Sequence, residues 1–151
     1  MAGPIVVCAD GSELSDRAIE AALPILRPGE VVVVTVVEPA DPMLVTGTGM
    51  AGGMMSPEAL DELEQVREQE GRNAVEHAAS LVGSDMTVET RVLQGDPGVA
   101  ICELARDVDA SAIVIGSRGR GGIKRALLGS VSDYVVRNAH CPVVVARAED
   151  D

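Results

Sequence analysis

Short, unbroken apolar runs alternate along the chain with longer stretches of helical period. Ile5-Val6-Val7-Cys8-Ala9 contains no polar position, which predicts a strand buried on both faces. Val31 to Val37 repeats the pattern over a longer run, interrupted by Thr35. Met86 to Leu93 alternates instead, with Glu89 and Arg91 turned away from Val88 and Val92, and predicts a less buried strand nearer an edge. Ala112-Ile113-Val114-Ile115 is again wholly apolar, and Val143-Val144-Val145 after Pro142 closes a series of five strands.

Helical signals fill the gaps. Ser12 or Ser15 caps a first helix through Ala18, Ala22 and Leu26, which Pro24 must kink or shorten. Ser56-Pro57 is a capping residue followed by proline at the first helical position. The helix it starts places Leu60, Leu63, Val66, Ala74, His77, Ala78 and Leu81 on one stripe, and Asp61, Glu62, Glu64, Glu68, Glu70 and Glu76 on a solvated face. Asp96-Pro97 repeats the cap-plus-proline signature before Val99, Ile101, Cys102, Leu104 and Ala105. Ser130-Val131-Ser132-Asp133 has capping-box spacing before a last helix that runs to about Asn138. Strands alternating with helices give an α/β fold: a parallel sheet covered on both faces by four helices, three layers in all, wound by right-handed crossovers. Residues 1–151 carry no internal repeat and no dividing linker, and read as one domain. Pro39 to Met55 is the one long irregular piece, rich in glycine with four methionines, and such a loop is expected to be functional or mobile.

Charge narrows the partners. The 24 acidic and 12 basic residues leave a formal net charge of -12. Such a surface repels nucleic-acid phosphates and anionic membranes on average, so neither is an expected partner. There is no Phe, no Trp and one Tyr, Tyr134, so base stacking on an aromatic platform is excluded. No apolar run reaches the ~18 residues of a membrane span, and no basic region precedes the first apolar stretch, so a cytoplasmic location is expected. Cys8, Cys102 and Cys141 form no CxxC pair and sit in apolar stretches, as small buried residues do. His77 and His140 lack metal-ligand spacing.

In an open α/β sheet the ligand sits beyond the carboxyl ends of the strands, where the winding reverses. The turns to inspect are therefore Asp10-Gly11-Ser12 after the first strand and Gly116-Ser117-Arg118-Gly119-Arg120-Gly121-Gly122 after the fourth. Four glycines in that second turn allow a close backbone approach, and consecutive amides there can form an anion-binding hollow. Gly129-Ser130 then opens the last helix, whose N-terminus offers orphan N–H donors and a positive dipole end. Arg118, Arg120, Lys124 and Arg125 gather four of the 12 basic residues within eight positions, a local field for a polyphosphate. A solvated basic turn is the bland alternative. No Walker A loop exists, since Lys124 stands between Ile123 and Arg125. Gly47-Thr48-Gly49-Met50-Ala51-Gly52 spells GxGxxG but neither follows a strand directly nor opens a helix.

Gly116-x-x-Gly119, nine residues, then Gly129-Ser130 resembles the nucleotide-binding signature of the universal stress protein family. Asp10-Gly11-Ser12 resembles that family's first motif, Gln94-Gly95-Asp96-Pro97 its turn after the third strand, and Cys141-Pro142-Val143-Val144-Val145 its last strand. The resemblance runs from Ile5 to Arg147. It implies sheet order 3-2-1-4-5 in a Rossmann-like, adenine nucleotide alpha hydrolase-like fold, an ATP site and a homodimer. It implies that Ala9 and Val36 border the adenine, and that Asp10 lies near the base and ribose or meets a phosphate-bound Mg²⁺. Gly116, Arg118, Gly119, Gly129, Ser130 and Val131 would wrap ribose and phosphates, with Ser132 a weaker candidate. Each has a plainer alternative: Asp10 could cap the first helix, Ser130 the last, and Gly129 could merely permit a tight helix entry.

The function these observations lead to is an ATP-binding regulatory or stress-response protein in which the nucleotide is a conformational ligand. No His lies in the site turns to act as a general base, and no nucleophile–base pair is visible. The alternatives are a slow Mg²⁺-dependent ATP hydrolase or phosphotransferase using Asp10, and a sensor of AMP or cyclic AMP. The short apolar strand Val143–Val145 is expected at an edge, where pairing with a second copy would cover it.

Overall fold

Five parallel strands form one sheet in the order β3-β2-β1-β4-β5. The structure, a computed structural model, describes residues 3–27, 29–41, 43, 55–118 and 128–147. The strands are β1 (Ile5–Cys8), β2 (Glu30–Val37), β3 (Thr87–Gln94), β4 (Ala112–Gly116) and β5 (Val143–Ala146). The helices among the described residues are α1 (Glu13–Leu26), α2 (Pro57–Ser80), α3 (Pro97–Asp107) and α4 (Ser130–Asn138). Gly119, Arg120, Lys124, Arg125 and most of Pro39–Met55 lie outside the described residues.

The unbroken apolar runs are explained by the sheet having two covered faces. Ile5, Val7, Val31, Val33, Ala112 and Val114 enter one core cluster with Ile19, Leu23, Val75 and Ala78 of α1 and α2. Their neighbours Val6, Val32, Val34, Ile113 and Ile115 enter the other with Ile101, Leu104 and Val135 of α3 and α4. The split follows the period of two in a strand. β1 is central, with Val6 and Val7 wholly inaccessible, and it pairs with β2 on one side and β4 on the other. β3 is an edge strand bonded to β2 alone, which is why its residues are at best half-buried.

Helix starts follow their caps. The Ser56 hydroxyl accepts from the Ala59 N–H at 3.1 Å and the Asp96 carboxylate from the Val99 N–H at 3.1 Å, each with proline at the next position. α1 is capped by Ser12, whose hydroxyl accepts from the Ser15 N–H at 3.2 Å, and it ends two residues beyond Pro24. α2 departs from its expected stripe. Gly71, Ala74, Val75 and Ala78 are its buried residues, while Val66 is 54% exposed. His77 is exposed too, and its Nε2 meets Asp16 Oδ2 of α1 at 2.7 Å. The inward line runs Leu60, Leu63, Arg67, Gly71, Ala74, Ala78, about 100° round the helix from Val66. Two of those six positions are not apolar, so a reading by hydrophobicity slides to the wrong face.

The cysteines are free and converge. Cys102 is buried in the α3/α4-side core, with Cys8 and Cys141 half-buried and packed against the same cluster. Burial pushes all three thiols up from their ordinary value of 9.0. Among the described residues, no helix is long and apolar enough to cross a membrane.

Candidate functional site

The winding reverses between β1 and β4, since β1 feeds β2 on one side while β4 and β5 extend the other. At the carboxyl ends of these strands lies a cleft of about 740 Å³, within the roughly 300–1,000 Å³ of small-molecule sites. Ala9 and Asp10 just past β1, Val36 from β2, Gly116 at the end of β4 and Arg118 just past it, and Gly129, Ser130, Val131 and Ser132 at the start of α4 all line it. Nine of the ten expected site residues are thus brought together, and the tenth, Gly119, lies outside the described residues.

The start of α4 brings the positive end of a helix dipole to the cleft. Gly129 is the N-cap and makes no side-chain cap bond, so Ser130 is the first helical residue and not the cap expected from the spacing. Asp133 does not close a capping box either. Its carboxylate pairs with Arg137 one turn on, and its N–H donates to Gly129 O at 2.9 Å as the first helical bond. The N–H groups of Ser130, Val131 and Ser132 precede that bond and have no acceptor within the helix. They carry the positive end of the helix dipole, worth about half an elementary charge.

This start is pinned to the tip of β4. Ser117 O accepts from the Gly129 N–H at 2.6 Å and from the Ser132 hydroxyl at 3.0 Å, while the Ser117 N–H donates to Ala146 O of β5 at 2.8 Å. Ser132 is 2% exposed and its hydroxyl also lies 3.1 Å from Gly129 O, so its side chain holds the helix in place. Losing such a bond costs roughly 0.5–1.5 kcal/mol. Gly116 is different in kind. A Cβ built there would meet nothing nearer than Arg118 O at 3.6 Å, ordinary van der Waals contact. Packing among the described residues therefore does not require glycine at this cleft-lining position.

At the β1 tip, Gly11 adopts φ 80°, which is open to glycine at little cost. The turn lets Asp10 Oδ1 accept from the Ser12 N–H at 2.8 Å and from the Ser12 hydroxyl. Ser12 is the helix cap, so Asp10 stands one step away from that role, at the cleft. The buried Ser15 hydroxyl donates to Cys8 O at 3.3 Å and ties α1 to the same tip. Cys8 lines the cleft, and its thiol is pushed up by burial first, then by Cys102 and by the Asp10 charge. Among the described residues no group of three or more His, Cys, Asp or Glu could hold a metal ion.

The far end of the cleft contains residues that sequence reasoning missed: Thr35, Val37 and Glu38 of β2 and its exit, and Arg67, Glu70, Gly71 and Ala74 of α2. The available signal was Gly71, a glycine inside a 24-residue helix. A Cβ there would meet Val37 Cγ2 at 3.0 Å, Val92 Cγ1 at 3.1 Å and Thr35 Cγ2 at 3.3 Å, so α2 lies directly on the sheet at the cleft's edge. The charged side chains among the described lining residues are Asp10, Glu38, Glu70, Arg67 and Arg118.

Comparisons with known proteins bear on this arrangement. The chain is 34% identical over 145 residues to a universal stress protein of Methanocaldococcus jannaschii, covering 95% of this chain and 81% of that one. It is 30% identical over 149 residues to one of Bacillus subtilis, covering 97% and 100%. Among solved structures, the universal stress protein UspA of Lactobacillus plantarum superposes with a TM-score of 0.75 at 24% identity, over 96% and 97% of the two chains. The Archaeoglobus fulgidus universal stress protein in complex with dAMP superposes at 0.61 with 28% identity, over 95% and 96%. A family protein from Arabidopsis thaliana with AMP bound superposes at 0.62 with 19% identity, over 99% and 94%. With the sheet order, the cleft at its reversal point and a match of residues 1–147 to the family's sequence model all in agreement, the chain belongs to the universal stress protein family.

Proposed function

We propose that this cleft binds an adenine nucleotide, ATP in the first place, and that the nucleotide acts as a conformational ligand of a regulatory stress protein. The observation that carries the reading is the start of α4: three orphan N–H groups at the cleft, no side-chain cap, and a helix pinned to β4 by Ser117. A phosphate group supplies the acceptors these donors lack. From there the cleft passes the β1 tip, where Ala9 and Asp10 stand, and reaches Val36 at the end of β2. That path crosses two strand spacings, about 9.6 Å, the span of a nucleoside monophosphate. Mg²⁺ carried by the phosphates would meet Asp10 as a protein carboxylate.

A ligand so placed touches β1, β4 and α4 together. Binding only to the folded state stabilises it by about 2.7 kcal/mol at 100 times the dissociation constant. The relatives with AMP and dAMP bound support an adenine nucleotide, and AMP and cyclic AMP are the competitors to be titrated against ATP. We place the protein in the cytoplasm as a homodimer joined through β5. Residues 142 and 146 of that region turn their carbonyls to β4 through the Ile113 and Ser117 N–H groups. By strand alternation, Val143 and Val145 present their N–H and C=O groups on the other edge.

The test is titration of the purified protein with ATP, AMP and cyclic AMP, together with mass spectrometry of nucleotide released on denaturation. Gly116→Ala serves as the site variant. It is expected to unfold at the wild-type denaturant midpoint and to lose at least about tenfold in ATP affinity, because the methyl takes ligand space. Wild-type protein that carries no nucleotide and binds none, or unchanged affinity in the variant, refutes the assignment.

A further inference from the structure

The inward line of α2 holds one charged residue, Arg67, between Leu63 and Gly71. An interior-facing arginine on a helix with an otherwise polar outer surface calls for a reason. Its Nη1 donates to Glu38 O, just past the end of β2, at 3.3 Å. Among the described residues it makes no salt bridge, although Glu38 and Glu70 border the same cleft. The guanidinium is thus tethered by one edge to a main-chain oxygen, and because its N–H bonds lie in its plane this bond does not use its faces. Gly71, one turn on, brings α2 against Thr35, Val37 and Val92, so Arg67 stands directly beside the β2 end of the cleft.

That end is where the base of a nucleotide lies when its phosphates sit on α4. The other side chains there are the aliphatic Val36, Val37 and Ala74, the hydroxyl of Thr35 and the carboxylates of Glu38 and Glu70. The chain has no Phe and no Trp, and its one Tyr, Tyr134, stands on α4 and does not line the cleft. Among the described residues, Arg67 is the planar cation at the end of the site where a purine would lie. We propose that Arg67 lies flat on the base of the bound nucleotide and makes the cleft prefer purines to pyrimidines. The inference rests on the nucleotide reading above and assigns a selectivity residue within it. Stacking grows with ring area, and arginine can stack where lysine, a compact point charge, cannot.

Equilibrium dialysis of wild type, Arg67→Lys and Arg67→Met against ATP and against CTP tests it. Wild type should bind ATP more tightly than CTP. Arg67→Lys, which keeps the charge, should weaken ATP by about fivefold or more and CTP by less than about twofold, so the ratio of the two narrows. Arg67→Met, which keeps the apolar stem, should narrow it likewise. Equal weakening of both nucleotides would make Arg67 a simple charge on the phosphates, and unchanged affinity for both would make it a structural tether; either overturns the inference while leaving nucleotide binding intact. Wild-type protein with no preference for ATP over CTP overturns it as well. Wild-type protein that binds neither removes both the inference and the reading beneath it.

Discussion

Placing a carboxylate on the first residue of α4 should raise stability and lower nucleotide affinity at once. Ser130→Asp is the substitution. Ser130 is exposed at the first helical position, makes no cap bond and borders the cleft. A negative charge there meets the positive helix end and stabilises the folded protein by about 0.3–1 kcal/mol. In a chain of this size that raises the melting temperature by roughly 1–4 °C. Toward a phosphate about 6 Å away the same charge is repulsive. The Coulomb energy is about 0.7 kcal/mol per phosphate charge at the dielectric of water and about 2.8 kcal/mol at an effective dielectric of 20. These limits correspond to a loss of about threefold to about a hundredfold. An exposed site pulls toward the lower figure, and the several charges of ATP pull toward the higher. About 20-fold weaker binding is the expectation at physiological salt. Calorimetric titration with ATP, paired with a thermal melt without nucleotide, reads both effects. A folded variant whose ATP affinity stays within twofold of wild type would show that no phosphate sits on α4.

Three further outcomes follow from packing, burial and pairing. Gly98→Ala puts a Cβ at 2.6–3.1 Å from the Cδ1, Cγ and Cβ of Tyr134, so it should cost about 1–3 kcal/mol in denaturant unfolding; Tyr134→Ala in the same chain should recover most of that, and additive losses would disprove the contact. The raised thiols keep their protons in the folded state while unfolded thiols lose theirs. Stability is therefore full below pH 9.0 and falls as pH rises above it. Cys8→Ala should flatten the decline between pH 8 and 10 by at most about 1.4 kcal/mol at pH 10, and a parallel curve would contradict the burial argument. Val145→Pro removes an outward N–H of β5 while sparing the bonds to β4, so sedimentation equilibrium should show a monomer in place of the dimer proposed for the wild type; a dimer that persists in the variant excludes this edge.

Much of the fold is legible in the chain because local and global signals agree. The apolar runs from Ile5 and Val31 mark the central strands, since only a sheet covered on both faces needs them. Ser56-Pro57 and Asp96-Pro97 mark the starts of α2 and α3, since their caps act over three residues and need no tertiary partner. The order of strands came through the family resemblance and matches the structure. What stays hidden depends on contacts distant in sequence. The inward face of α2 is set by where Gly71 can approach Thr35, Val37 and Val92, a contact that hydrophobic periodicity does not encode, so periodicity points to Val66 where the structure turns Arg67 to the cleft. Ser130 looked like a cap because Asp133 has the right spacing, but that carboxylate pairs with Arg137 instead. Cys8, Cys102 and Cys141, scattered in the chain, meet in one core.

Ser117 joins two elements through its main chain alone. Its carbonyl carries the root of α4 and its amide carries the final rung of β5. A displacement of the helix root must rotate that peptide neighbourhood and so reach the outermost strand with no side chain acting as relay. The cleft-lining helix root and the sheet's rim are thereby joined through main-chain atoms, a linkage that can persist through sequence drift because a different side chain at 117 would leave those atoms in place.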